Sequence, residues 1–252
     1  MNNKRITFKN NLGQELSARI EFPVDEPKSY AVFAHCFTCN KNLTAIRNII
    51  RKLNKSGIAV LSFDFTGLGE SEGDFENTNF SSNVNDLISA ADFLETNYSA
   101  PKLLIGHSLG GAAVIFAAQH ISSVKAVSTI AAPSNPKHVS KLLKSGIDEI
   151  NEKGEAVIAI GGRAFKIQKQ FLNDINKQNM EETLKNLKLP LLVFHSPQDT
   201  TVSIKNAAQI YKFAWHPKSF ISLDGASHML SNKSDSIYVG KMIANWVDRY
   251  IN

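Results

Sequence analysis

Short runs that are mainly apolar on both faces alternate along this chain with stretches apolar on one side only, and few folds satisfy both patterns. Tyr30–Ala34, Ile58–Phe63, Leu103–Ile105, Val124–Ile130 and Leu191–Phe194 are of the first kind. Such strands need helices over both faces, which is the condition of a parallel sheet. Between them, Leu43–Leu53 gathers Leu43, Ile46, Ile49, Ile50 and Leu53 on one side, and Asn83–Tyr98 gathers Val84, Leu87, Ile88, Ala91 and Leu94. Ser108–His120 is rich in Ala. After residue 190 the rhythm continues as helix Ile204–Ala214, strand Ser219–Leu223 and helix Ile237–Tyr250. At the start, Ile6–Lys9 and Leu16–Phe22 alternate with period two around Asn11-Leu12-Gly13, the signature of a hairpin. The pattern predicts an α/β fold with a doubly wound, mostly parallel sheet.

One segment breaks the rhythm. Residues 133–189 hold Pro133, Pro136, two helical pieces and a hairpin, in which Glu155–Ile160 and Arg163–Ile167 flank Gly161-Gly162. This segment reads as a lid inserted between the sixth and seventh strands. The chain then forms a single domain over 1–252, with core 1–132 and 190–252 and the insertion 133–189. At 252 residues it buries roughly three quarters of its unfolded surface, enough to fold without disulfides or metals.

Charge and composition narrow the functions. The 28 Lys+Arg against 23 Asp+Glu leave a net +5, interleaved rather than gathered in a stripe, so no nucleic-acid partner is expected. No apolar run approaches the ~18 residues of a membrane helix, and the polar start Met1–Phe8 gives no secretory leader. Cys36 and Cys39 are too close in sequence to staple the fold, and the expectation is reduced thiols in the cytoplasm. No metal or cofactor is expected. There is no H-E-x-x-H, no Cys–His set and no P-loop, and the run Gly67-x-Gly69-x-x-Glu72 lacks the third glycine of a dinucleotide site.

Gly106-His107-Ser108-Leu109-Gly110 fits G-x-S-x-G, directly after a strand and before the Ala-rich helix. A serine on so sharp a turn needs small neighbours at 106 and 110, and the helix N-terminus beside it favours negative charge. A serine nucleophile needs a base, and the base needs an acid to hold it. His228, in the loop after the last strand, is the candidate base. Asp199, a short turn beyond Leu191–His195, is the candidate acid, with Asp224 as runner-up. For the oxyanion hole, one N–H comes from Leu109 and the other from the loop His35-Cys36-Phe37-Thr38, with Phe37 preferred and Cys36 second.

These pieces resemble the α/β-hydrolase superfamily. Runs such as His35-Cys36-Phe37-Thr38-Cys39, Asp64-Phe65-Thr66-Gly67-Leu68-Gly69-Glu70-Ser71-Glu72-Gly73-Asp74-Phe75 and Asn79-Phe80-Ser81 are similar to those of bacterial serine hydrolases often fused to an OsmC-like domain, a domain absent from this sequence. The resemblance implies an α/β-hydrolase fold, Ser108, Asp199 and His228 as triad, and Phe37 with Leu109 as oxyanion donors. It departs at Cys36, where relatives usually carry Gly. A side chain there narrows the space beside the oxyanion hole and favours small acyl groups.

The expected activity is hydrolysis of a carboxylic ester or thioester through an acyl-enzyme, with a small acyl compound as substrate. A peptidase, amidase or acyltransferase shares the same residues. A binding or sensing protein on the hydrolase frame is the alternative outside enzymes. Arg163, Lys166 and Lys169 either attract an anionic substrate or form a solvated basic face. A homodimer is left open. So is a thiol-redox partner, suggested by the fusion habit of the relatives. Cys36 and Cys39 bracket the oxyanion loop, where oxidation would distort the loop and switch activity off if they are more than packing residues.

Overall fold

The computed structural model describes residues 2–251. Met1 and Asn252, the ends of the range read as one domain, lie outside the described residues. In chain order the strands are β1 (Asn2–Lys9), β2 (Glu15–Phe22), β3 (Ser29–Ala34), β4 (Ile58–Phe63), β5 (Leu103–His107), β6 (Ala126–Ile130), β7 (Glu155–Ile160), β8 (Arg163–Gln168), β9 (Leu191–His195) and β10 (Lys218–Ser222). Eight of them form one sheet in the order β1-β2-β4-β3-β5-β6-β9-β10. The pairs β1–β2 and β2–β4 are antiparallel and the rest are parallel. The first hairpin closes where the Asn10 side chain accepts from the N–H groups of Leu12 and Gln14, an Asx-type turn.

The apolar strands bury both faces because consecutive side chains point to opposite sides. Phe33, Val60, Ile105, Leu192 and Phe194 pack under α1 (Thr44–Lys55) and α8 (Lys233–Ile251). Val32, Ala34, Leu61, Leu104, Leu191 and Val193 face α2 (Phe80–Asn97), α3 (Leu109–Ala117) and α7 (Lys205–Phe213). The helix α2 begins with a capping box between Asn79 and Ser82. No helix is long and apolar enough to cross a membrane among the described residues.

The insertion holds a 3₁₀ stretch over Pro136–Gly146, α4 (Ile147–Lys153), the β7–β8 hairpin, α5 (Lys169–Lys177) and α6 (Met180–Leu187). Its helical pieces are thus more numerous than the two read from sequence. Each runs only 7 to 11 residues, too short for periodicity to separate one from the next. Local signals divide them instead: Asn135 and Asn179 cap N-termini, and Gly154 ends α4 at φ 88°. The hairpin forms where the sequence places it, with Gly161 and Gly162 both at positive φ, as a primed turn requires. Val139, Leu143, Ile150, Ile158, Ile167, Phe171 and Leu184 join the same apolar core as the sheet face beneath them.

Candidate active site

Ser108 follows β5 and precedes α3 with φ 55° and ψ −125°, a conformation that side chains other than glycine rarely hold. The surroundings fix it. Its N–H donates to the Ile130 carbonyl on β6 at 2.8 Å. A Cβ on Gly106 would strike the Gly110 backbone, and one on Gly110 would strike the His35 carbonyl. The two glycines of the pentapeptide are therefore demanded by close approach of backbone to backbone.

Two more strand ends bring groups to this point, as the switch region of a doubly wound sheet does. Ser108 Oγ donates to His228 Nε2 at 3.0 Å, and His228 Nδ1 donates to Asp199 Oδ2 at 2.7 Å. The second Asp199 oxygen accepts from the N–H groups of Thr201 and Val202, both at 2.8 Å. Burial alone would push the Asp199 carboxyl up, but the His228 hydrogen bond and those two N–H groups hold it below the ordinary carboxylate range. Asp224 lies elsewhere: it is exposed and accepts from the Gln198 side chain.

Phe37 and Leu109 sit beside Ser108, and all three line one opening. Neither backbone N–H has an acceptor among the described residues. Cys36 and Phe37 share a peptide whose carbonyl accepts from His35 Nδ1 at 2.8 Å and from the Cys39 N–H at 3.1 Å. Carbonyl and N–H of one peptide point in opposite directions, so bonds to the Cys36 oxygen aim the Phe37 N–H. Downstream, the buried Lys41 Nζ binds Asp64 Oδ2 at 2.6 Å, and the Lys41 N–H donates to Asp64 Oδ1 at 2.7 Å. The loop carrying Phe37 is thus tied to the Asp64–Ser71 loop at its end.

The cysteines correct the sequence reading. Reduced thiols were expected, and the structure joins Cys36 to Cys39. The three-residue separation that rules out a staple between distant elements is the span of one β-turn, and the turn brings the two sulfurs together.

The opening at Ser108 encloses about 350 Å³, part of it open to solvent. Its walls are Phe37, Leu109, Pro133, Val139, Leu142 and Val202, with His138, Lys141 and Thr201 adding polar groups. Sequence reasoning missed the contribution of the 138–142 stretch, because these residues sit in a 3₁₀ segment with no motif. It also missed His107. Inside the pentapeptide, this buried histidine donates from Nε2 to the His228 carbonyl at 2.7 Å. The three basic residues singled out in the insertion are engaged by the protein: Lys166 lies between Glu155 and Glu76, Arg163 donates to the Thr38 carbonyl and Lys169 to that of Asn151.

Comparisons with known proteins agree with this architecture. Residues 25–153 match the family model Hydrolase_4, described as serine aminopeptidase, S33. The crystal structure of the esterase domain of a Rhodothermus marinus protein is 48% identical, covers 100% of both chains and superposes with a TM-score of 0.82. Rat (Rattus norvegicus) monoglyceride lipase is 24% identical over 275 residues, 95% of this chain and 88% of that protein. Est1E of Butyrivibrio proteoclasticus, solved with ferulic acid, shares the fold at 20% identity, with 98% and 99% of the two chains covered and a TM-score of 0.80. With the family model spanning just over half of the sequence, this chain belongs to the S33-type branch of the α/β hydrolases.

Proposed function

We propose that this chain is a serine esterase acting on carboxylic esters or thioesters with small acyl groups. The observation that carries the reading is the continuous hydrogen-bonded line Ser108–His228–Asp199, with the N–H groups of Phe37 and Leu109 unengaged beside it. Ser108 Oγ attacks the ester carbonyl while His228 Nε2 takes its proton. Asp199 holds His228 in the tautomer that can accept it and stabilises the cation that forms. The negative charge on the carbonyl oxygen falls between the Phe37 and Leu109 N–H groups. His228 then gives its proton to the departing alcohol or thiol, leaving acyl-Ser108. Water, deprotonated by His228, attacks the acyl carbon, and the proton returns to Ser108 as the acid leaves.

The family model is described as an aminopeptidase, yet the pocket wall favours an ester. A peptide N-terminus is a cation and calls for a carboxylate at the pocket. The residues lining this one include no acid and do include Lys141. The apolar walls and modest volume suit a short acyl chain.

Intact mass after a fluorophosphonate probe tests the nucleophile. The expected result is one adduct on the wild type and none on folded Ser108→Ala. A series of p-nitrophenyl esters then tests the pocket, with acetate and butyrate turned over faster than long-chain esters. An unlabelled, folded wild type would sink the esterase reading in favour of a ligand-binding protein on a hydrolase frame, and a flat rate profile would sink the small-acyl preference.

A further inference from the structure

The turn that presents the Phe37 N–H is closed by a covalent bond. Cys36 and Cys39 are its first and last residues, joined through their sulfurs and by the Cys39 N–H to Cys36 carbonyl hydrogen bond of 3.1 Å. The residue between Phe37 and Cys39 is Thr38, at φ 60°. This position of a turn normally falls to Gly or Asn, and a β-branched side chain there is strained. The turn therefore holds a backbone conformation that its own sequence disfavours, and the cross-link is what closes it.

Its flanks are anchored by groups that do not depend on the cysteines. On one side His35 is buried, accepting the Phe65 N–H at 3.3 Å and donating to the Cys36 carbonyl. On the other, Lys41 is held by Asp64. Arg163, at the start of β8, donates to the Thr38 carbonyl, and the Phe37 ring packs on Phe75 and Phe171 at 5.7 and 5.5 Å between centroids. What changes when the sulfurs part is the turn alone. Freed of closure, Thr38 relaxes to negative φ, the Cys39 N–H leaves the Cys36 carbonyl, and the Cys36–Phe37 peptide keeps only one of the two bonds that aim its N–H.

We propose that the Cys36–Cys39 bond is a redox-active modification site, taking a dithiol reductant, which positions the oxyanion donor when closed and lowers turnover when opened. The proposal rests on the reading above of Phe37 as that donor. Cys39 is half-exposed and Cys36 buried, so the incoming thiolate attacks Cys39 Sγ and Cys36 leaves as a thiolate that takes up a proton. The second thiol of the reductant then displaces Cys39 as a thiol. Two electrons and two protons pass from the dithiol, which becomes a cyclic disulfide.

The test uses the full chain, oxidised with diamide or reduced with dithiothreitol, with thiols counted by iodoacetamide and intact mass. The kcat and KM for p-nitrophenyl butyrate are read in both states, beside fluorophosphonate labelling of Ser108 and a thermal melt. The expected kcat of the reduced enzyme is lower by between about tenfold and about a hundredfold, short of the roughly hundredfold to thousandfold cost of losing an oxyanion donor outright, because one of the two bonds that aim the N–H remains. KM is expected to stay within about twofold, since the donor acts on charge formed after binding. Cys39→Ser should run at the reduced rate in either medium. In Thr38→Gly the ratio of oxidised to reduced rates should fall toward one, because glycine holds positive φ without the cross-link. Equal rates in both states with Ser108 labelled would overturn this proposal alone, as would two alkylatable thiols after diamide, a Thr38→Gly ratio equal to that of the wild type, or a reduced chain already unfolded at the assay temperature. No turnover and no label in either state would bring down the esterase reading, and this proposal with it.

Discussion

His107 shows how one side chain serves both the pentapeptide and the base. A carbonyl only accepts, so Nε2 carries the proton it donates to the His228 oxygen. Burial, with the neighbouring His228 charge second, pushes the His107 pKa down to about 4. It therefore remains neutral beside His228, which the proposed mechanism makes cationic during turnover. In the unfolded chain the same imidazole titrates near its ordinary 6.5. As pH falls from 6.5 to about 4 the unfolded chain takes up a proton that the folded one refuses. Stability is therefore full above that window and falls through it, by at most about 3 kcal/mol, with no further loss from this group below it. Burial also lowers His35 and His195, adding to the decline in the same direction. Denaturant melts from pH 7 to 4.5 should show the loss, and His107→Gln, which keeps a donor but does not titrate, should show a shallower one. Equal slopes for the two proteins would remove His107 from the account.

Among the elements, the loop after β3 depends on the loop after β4. Lys41 and Asp64 are 3% and 0% exposed, and Asp64 also accepts the Glu70 N–H at 3.0 Å. Removing one partner of such a pair leaves a buried charge uncompensated, at a cost of about 3–5 kcal/mol. Exposed Glu70, 2.8 Å from Lys41 Nζ, shares the charge and pulls the outcome to the lower end. Asp64→Asn should therefore melt well below the wild type and, at temperatures where it is still folded, lose turnover through the misplaced Phe37 loop. A variant with unchanged midpoint and unchanged kcat would show that the two loops are independent. The Gly-rich run Gly67-x-Gly69 finds its purpose here as well. A Cβ on Gly69 would strike the Asp64 carboxylate, so the run makes room for a structural ion pair.

Over the whole molecule, the insertion shares the core of the sheet. Phe171 of α5 is 3% exposed, belongs to the apolar cluster beneath the sheet and touches Phe37. Truncating it should cost about 3–5 kcal/mol. Because the core is continuous, the loss is expected to lower a single cooperative melt of the entire chain. Phe171→Ala followed by calorimetry checks this. A separate low-temperature transition, with the core melt unmoved, would show the insertion folding on its own. The same continuity places the 138–142 wall over Ser108, so the pocket is made jointly by sheet and insertion.

Much of this was legible in the sequence because the signals are local. Apolar runs without a polar face demand helices on both sides. Gly106 and Gly110 around Ser108 mark a backbone that tolerates no side chain, and the chain order of Ser108, Asp199 and His228 selects among many histidines and acids. Gly161-Gly162 wrote its own turn. Other features depend on contacts between residues far apart. His107 meets the His228 carbonyl across 121 residues, and Lys41 meets Asp64 across 23. The joining of Cys36 to Cys39 was misread even though it is local, because sequence spacing does not report the turn that Thr38 is held in. Periodicity and motif tell which face a residue takes and what its neighbours must be. Which distant groups close a charge, a turn or a pocket is decided only when the sheet brings its strand ends together.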